Sequence, residues 1–124
     1  MAITQRIRVL LVDDHLMFRQ GLRSLLQSYP DIDVVAEASD GAEAVSKAST
    51  VRPTVVVMDI SMPKMDGVAA TRILKSQHAK VAVVGLSVTG EGYQVDAMLK
   101  AGAVTVLTKE RAVDELYDSI KAAA

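Results

Sequence analysis

At 124 residues, half of them apolar, the chain has the length of one domain and enough apolar side chain to bury a core. Its 14 basic and 15 acidic residues give a net charge of −1 with no basic block, which argues against direct nucleic-acid binding by this domain. The lack of cysteine excludes disulfides and thiolate chemistry, and no apolar run approaches a membrane span, so a soluble cytoplasmic chain without membrane partners is expected.

The first apolar run, Ile7–Val12 (IRVLLV), is nearly continuous and β-branched, as a strand covered on both faces requires. Phe18, Leu22, Leu25, Leu26 and Tyr29 then follow at helical spacing up to Pro30, which stops the helix. A second strand is expected over Val34–Ala36, and an Ala-rich helix over Ala42–Val51 after the Asp40-Gly41 turn. Val55–Met58 (VVVM) is the third strand, and Val68–Gln77, after Asp66-Gly67, the third helix. Val81–Leu86 and Val104–Leu107 complete five strands, with helices over Gln94–Ala101 and, from Val113, Leu116, Tyr117 and Ile120, over the last segment.

Strands that alternate with helices in this way build a doubly wound α/β domain with a five-stranded parallel sheet and five helices. Ligands of such sheets bind outside the carboxyl ends of the strands. Asp13 and Asp14 follow the first run, Asp59 the third, Ser87 the fourth, and Thr108-Lys109 the fifth. Three ionised carboxylates brought together repel one another unless a cation sits among them. An oxygen-only donor set favours a hard ion, magnesium above all. A carboxylate can attack phosphorus, which makes Asp59 the best nucleophile; Lys109 would pair with a phosphate oxygen and Ser87 would donate a hydrogen bond to another. His15 is read as the start of the first helix, His78 as a surface residue, and the six methionines as core filler.

Val9–His15 (VLLVDDH), Val57–Gly67 (VMDISMPKMDG), Leu86-Ser87 and Leu107–Lys109 (LTK) together resemble the receiver domains of two-component response regulators. The resemblance covers the chain as a single receiver domain, residues 1–124 with a core over about 6–122, and implies the flavodoxin-like (CheY-like) arrangement of the sheet. The stretches Asp14–Leu26 and Glu37–Gly41 look like regulators with a helix-turn-helix output, whereas the ending resembles receivers of hybrid sensor kinases. The abrupt end in helical sequence leads us to expect an excised receiver.

By that resemblance Asp59 is the phosphoacceptor, and Asp13, Asp14, Asp59 and the backbone carbonyl of Ser61 hold Mg2+, with Asp14 a direct ligand and Asp13 acting largely through water. Ser87 is the switch hydroxyl and Lys109 its cationic partner. The implied donor is a sensor histidine kinase or a histidine phosphotransfer protein. A homodimer through the face of helix 4, strand 5 and helix 5 is a further implication. The chain is then a signalling receiver that promotes its own phosphorylation and dephosphorylation, not an enzyme that turns over a separate substrate.

Departures from the family's common pattern are also legible. Val106 stands where many receivers carry Tyr or Phe, which puts the coupled rotation of hydroxyl and ring in doubt. Glu110 replaces a frequent Pro, so nothing calls for a cis peptide there. Val88 brings a branched side chain next to the switch hydroxyl and is expected to narrow access. Ser61 and Thr89, at positions that tune loss of the phosphoryl group, are small and neutral.

Other functions fit less well. A haloacid-dehalogenase-like phosphatase needs its nucleophile after the first strand in a DxD pattern, and here that strand ends in adjacent aspartates. A dinucleotide-binding module needs a glycine-rich loop after it, and none follows.

Overall fold

The computed structural model describes residues 5–90 and 92–124; residues 1–4 and Glu91, which fall within the expected domain, lie outside those described. The elements run β1 (Ile7–Val12), α1 (Leu16–Gln27), β2 (Ile32–Ala38), α2 (Gly41–Val51), β3 (Val55–Asp59), α3 (Gly67–Gln77), β4 (Ala82–Ser87), α4 (Tyr93–Ala101), β5 (Thr105–Thr108) and α5 (Lys109–Ala123). All strand pairs are parallel, in the order β2-β1-β3-β4-β5.

The unbroken apolar runs follow from this layout, because successive residues of one strand face opposite layers. Val9, Leu11, Val55, Val57 and Val84 pack under α1 and α5 with Leu22, Leu26, Leu116 and Ile120. Leu10, Val12, Val56, Met58 and Val83 face the other way, against Ala44 and Ala48 of α2, Ala70 and Leu74 of α3, and Met98 of α4. The small alanines of α2 and α3 allow close approach to the sheet rather than deep interdigitation.

Most strand and helix ends lie within one residue of expectation, α5 starts earlier, at Lys109, and β2 and the end of α1 differ for identifiable reasons. β2 runs from Ile32 to Ala38, longer than the apolar run, because its pairing with β1 carries Asp33 and Glu37 along and slips past Val35 between Val9 and Leu10. α1 ends at Gln27 rather than at Pro30. Tyr29, in phase with that helix, instead stacks on Tyr117 of α5 with ring centroids 3.7 Å apart.

Val106 is half-buried on β5, opposite Gly85 of β4. A Cβ on Gly85 would lie 3.1 Å from Val106 and 3.2 Å from Met98, so these two side chains fill the space over the glycine. Among the described residues, no helix is long and apolar enough to cross a membrane.

Candidate functional site

The order β2-β1-β3-β4-β5 puts β1 and β3 side by side at the centre, with Val12 opposite Met58, so Asp13 and Asp59 leave the sheet as neighbours. Asp59 pairs in register with Leu86, and Ser87 with Thr108, which brings the remaining strand ends to the same edge.

The loop after β3 is held by close backbone contacts. Gly67 donates to the carbonyl of Ile60 at 2.8 Å, and a Cβ on it would fall 2.1 Å from the carbonyl oxygen of Asp59. Gly41 donates to the carbonyl of Met65 at 2.9 Å, and its own Cβ would fall 2.5 Å from that oxygen. Asp66 caps α3 by accepting from the amide of Ala69 at 2.9 Å. The Asp66-Gly67 pair thus starts a helix and lets that helix touch the strand end carrying Asp59. Ser61 lies in the bend that follows β3, two residues past Asp59 and exposed.

The loop after β1 is held differently. Oδ1 of Asp13 accepts from the amide of His15 at 2.8 Å, which turns the chain into α1. Arg19, one turn into α1, donates to the carbonyl of Asp13 and, at 2.7 Å, to Oε1 of Glu37 on β2. Burial pushes the Glu37 carboxyl up, but the hydrogen bonds and charges of Arg19 and Arg23 outweigh it and hold the group below its ordinary range. Arg19 was not singled out from the sequence. The signal available was that Arg19 and Glu37 both lie in the stretches that resembled helix-turn-helix regulators.

Lys109 is the first residue of α5, directly after the cap, where Thr108 accepts from the amide of Arg111 at 3.1 Å. A cation at a helix N-terminus faces the unfavourable end of the dipole. The carboxylates before it offset that: its ammonium is 2.9 Å from Oδ2 of Asp13 and 3.3 Å from Oδ2 of Asp59. Burial draws the Lys109 pKa down, but the close contacts and charges of Asp13 and Asp59 prevail and raise it above its ordinary value.

Asp59 is 2% exposed, and its carboxyl is raised to about 6, first by burial and then by the charge of Asp13, with Lys109 pulling the other way. Asp13 is equally buried, whereas Asp14 and His15 are exposed. One ligand atom from each of Asp13, Asp14, His15 and Asp59 lies within 4.8 Å of all the others.

The residues fit a hard divalent cation on two grounds. Carboxylate oxygens dominate the cluster, and Oδ2 of Asp13 is buried with no hydrogen-bond partner, its contact with Lys109 being an ion pair off hydrogen-bond alignment. The ring of His15 turns into this cluster although the residue also serves as the N-cap of α1.

Ser87 is buried at the end of β4, where its hydroxyl oxygen accepts from the amide of Thr89 at 3.2 Å. Val88 is 77% exposed, so little of its side chain packs against the site. The structure therefore brings Asp13, Asp14, Asp59 and Lys109 into one constellation, with Ser87 at the end of β4 and Ser61 in the bend after β3.

The family model described as the response regulator receiver domain matches residues 9–121. Among curated proteins, the chain is similar to the transcriptional regulatory protein DegU of Brevibacillus brevis, at 39% identity over 96% of this chain and 50% of the relative. It is likewise similar to the transcriptional regulatory protein LiaR of Bacillus subtilis strain 168, at 40% identity over 95% of this chain and 56% of the relative. The chain thus spans about half the length of these relatives. Among solved structures, the response regulator domain of Thermotoga maritima CheB superposes with a TM-score of 0.88 at 33% identity, covering 96% of each chain.

Proposed function

The chain belongs to the response regulator receiver domain family, whose function is phosphoacceptor signalling, and on that premise we propose that Asp59 is the residue that accepts the phosphoryl group. One observation carries this assignment: the Asp59 carboxylate ends the central strand β3, buried between the Asp13 carboxylate and the Lys109 ammonium. With its pKa near 6, Asp59 is mostly ionised at neutral pH and more basic than an ordinary carboxylate, as a nucleophile should be.

An oxygen of Asp59 attacks the phosphorus of a donor phosphohistidine; the new O–P bond forms as the P–N bond breaks, and the histidine nitrogen leaves with the electron pair. Lys109 stands close enough to follow the phosphoryl charge, and the Ser87 hydroxyl at the end of β4 can turn its proton toward a phosphoryl oxygen. Asp13, Asp14, Asp59 and the Ser61 carbonyl would hold Mg2+. When bound, magnesium supplies the positive charge that screens these carboxylates from the phosphoryl oxygens.

The partner we assign as donor is a sensor histidine kinase or a histidine phosphotransfer protein, in the cytoplasm. The chain assists its own phosphorylation and dephosphorylation and turns over no separate substrate. The output surface we assign is the face of α4, β5 and α5, where Leu99 and Val104 are exposed and a second copy can dock. Incubation with acetyl phosphate and magnesium tests the acceptor assignment: the intact mass should rise by one alkali-labile phosphoryl group in the native chain and not in Asp59→Asn. Label retained on a folded Asp59→Asn protein would move the nucleophile to another residue.

A further inference from the structure

An ammonium has three N–H donors and no acceptor. Three acceptor atoms meet the Lys109 ammonium here: Oδ2 of Asp13 at 2.9 Å, Oδ2 of Asp59 at 3.3 Å and Nδ1 of His15 at 3.2 Å. Nδ1 of His15 also lies 3.2 Å from Oδ1 of Asp13, so the tautomer of the ring decides whether it donates there or accepts from Lys109, and the tautomer with its proton on Nε2 is the one that leaves Nδ1 open to a cation. Lys109 therefore acts as a stand-in cation and marks out a donor set of two carboxylate oxygens and one imidazole nitrogen.

Two further distances support a shared ion. Nδ1 of His15 lies 3.2 Å from Oδ1 of Asp13 and 3.4 Å from Oδ1 of Asp14. An octahedral ion with bonds of about 2.1 Å places adjacent donors about 3.0 Å apart and opposite donors about 4.2 Å apart. The His15 and aspartate donors are thus within a few tenths of an ångström of the spacing such an ion imposes. Oδ2 of Asp13, buried and ion-paired with Lys109 but without an aligned hydrogen bond, has lone-pair capacity left for a metal ion.

We propose that His15, through Nδ1, is a ligand to a divalent ion in the cluster of Asp13, Asp14 and Asp59, and that it makes this a site for a borderline first-row ion such as Co2+ in preference to Mg2+. The proposal rests on the reading of that cluster as a cation site. Magnesium prefers oxygen donors and sheds its waters reluctantly, so the imidazole adds little to its binding. Co2+ accepts imidazole readily and follows magnesium-like octahedral geometry, so the nitrogen adds directly to its affinity. Occupancy by such an ion would compete with magnesium for the same carboxylates.

The test is calorimetric titration of the full chain with Mg2+ and with Co2+ separately, for the native protein and for His15→Asn. Asn keeps a good helix N-cap and replaces the ring nitrogen with an amide that offers magnesium an oxygen. Co2+ affinity should fall roughly tenfold or more in His15→Asn while Mg2+ affinity stays within a factor of about three. Excess Mg2+ should displace Co2+ from the native chain.

Proton NMR of the Co2+ form supplies a direct readout: a far-shifted, solvent-exchangeable imidazole N–H resonance present in the native chain and missing from His15→Asn. Equal Co2+ affinity in the two proteins, or no such resonance, overturns the role of His15 while leaving the magnesium site standing. Failure of either protein to bind Mg2+ at millimolar concentration overturns the cluster as a cation site, and the proposal with it.

Discussion

The Lys109 ammonium lies 2.9 Å from Oδ2 of Asp13, joining the first residue of α5 to the residue that follows β1. The pair closes the strand-end face, because both groups are nearly buried and each is the other's main compensation. It also sets the state from which phosphorylation starts, with Lys109 shared between Asp13 and Asp59.

Lys109→Met should therefore expose the repulsion that Lys109 now masks. The methionine keeps most of the apolar stem, which passes the Phe18 ring with the ammonium 5.0 Å from its centroid. The Asp59 carboxyl should then titrate above 6, since its lowering influence is gone while burial and the Asp13 charge remain. The metal-free fold should lose about 3 kcal/mol of stability at neutral pH, because two buried carboxylates are left without a cation. Carboxyl-carbon NMR titration and urea unfolding check the two outcomes.

The raised pKa of Asp59 also has a signed consequence for the native chain. The folded protein binds the Asp59 proton more tightly than the unfolded one, whose carboxyl titrates near 3.8. Stability from this group is whole below about pH 4 and is lost as the pH rises through 6. Between pH 5 and pH 7.5 Glu37, held below its ordinary range, is largely ionised in both the folded and the unfolded chain and adds little to the difference. The metal-free chain should thus be less stable at pH 7.5 than at pH 5 by about 1.4 kcal/mol, and Asp59→Asn should remove most of that difference. Magnesium should restore stability at pH 7.5 in the native chain. A native chain and Asp59→Asn with the same pH dependence would contradict the assignment of the shift to Asp59.

Gly67→Ala tests the close contact behind the acceptor. Its Cβ would fall 2.1 Å from the Asp59 carbonyl oxygen and 2.9 Å from Cα of Ile60, both backbone atoms that cannot rotate away. The expected cost is about 3 kcal/mol, and the displaced strand end should slow phosphorylation more than an equally destabilising core change does. Leu74→Ala, buried in the same layer but away from the strand ends, serves as that comparison.

Much of this site is legible in the sequence because its parts stand directly after apolar runs, where chain order alone places them. Asp13, Asp59, Ser87 and Lys109 need only the parallel topology to meet. The clamp of Arg19 on Glu37 is different: it joins residues 18 positions apart on a helix and a strand whose register follows no local pattern. His15 shows the other limit. Its backbone begins α1, as the turn predicts, while its ring points into the cluster, and position in the chain cannot separate those two roles. The end of α1 is hidden for a related reason, since Tyr29 keeps helical phase yet is held by Tyr117 from the far end of the chain.

Phosphorylation of Asp59 should be felt on the face of α4, β5 and α5, and the packing indicates the route. Ser87 pairs in register with Thr108, whose successor is Lys109, so both groups drawn to a phosphoryl oxygen lie on paired strand ends. Inward from them, Val106 and Met98 meet over Gly85, and Met98 is further tied to Thr71 of α3 by a 3.5 Å contact from the hydroxyl to its sulfur. A shift of β4 against β5 must move Met98, and with it α4. Without an aromatic ring at position 106 to lock either arrangement, Val106 leaves that motion to aliphatic packing, which separates two states by less energy. The phosphoryl group can shift the balance only by its differential contacts with the two states. Amide NMR of the chain with magnesium and beryllofluoride, a phosphoryl mimic, should therefore show exchange-broadened or averaged shifts for Met98, Leu99 and Val104 rather than two sharp sets. Shifts confined to the loops around Asp13, Asp59 and Lys109, with those three residues unchanged, would mean the signal leaves by another surface.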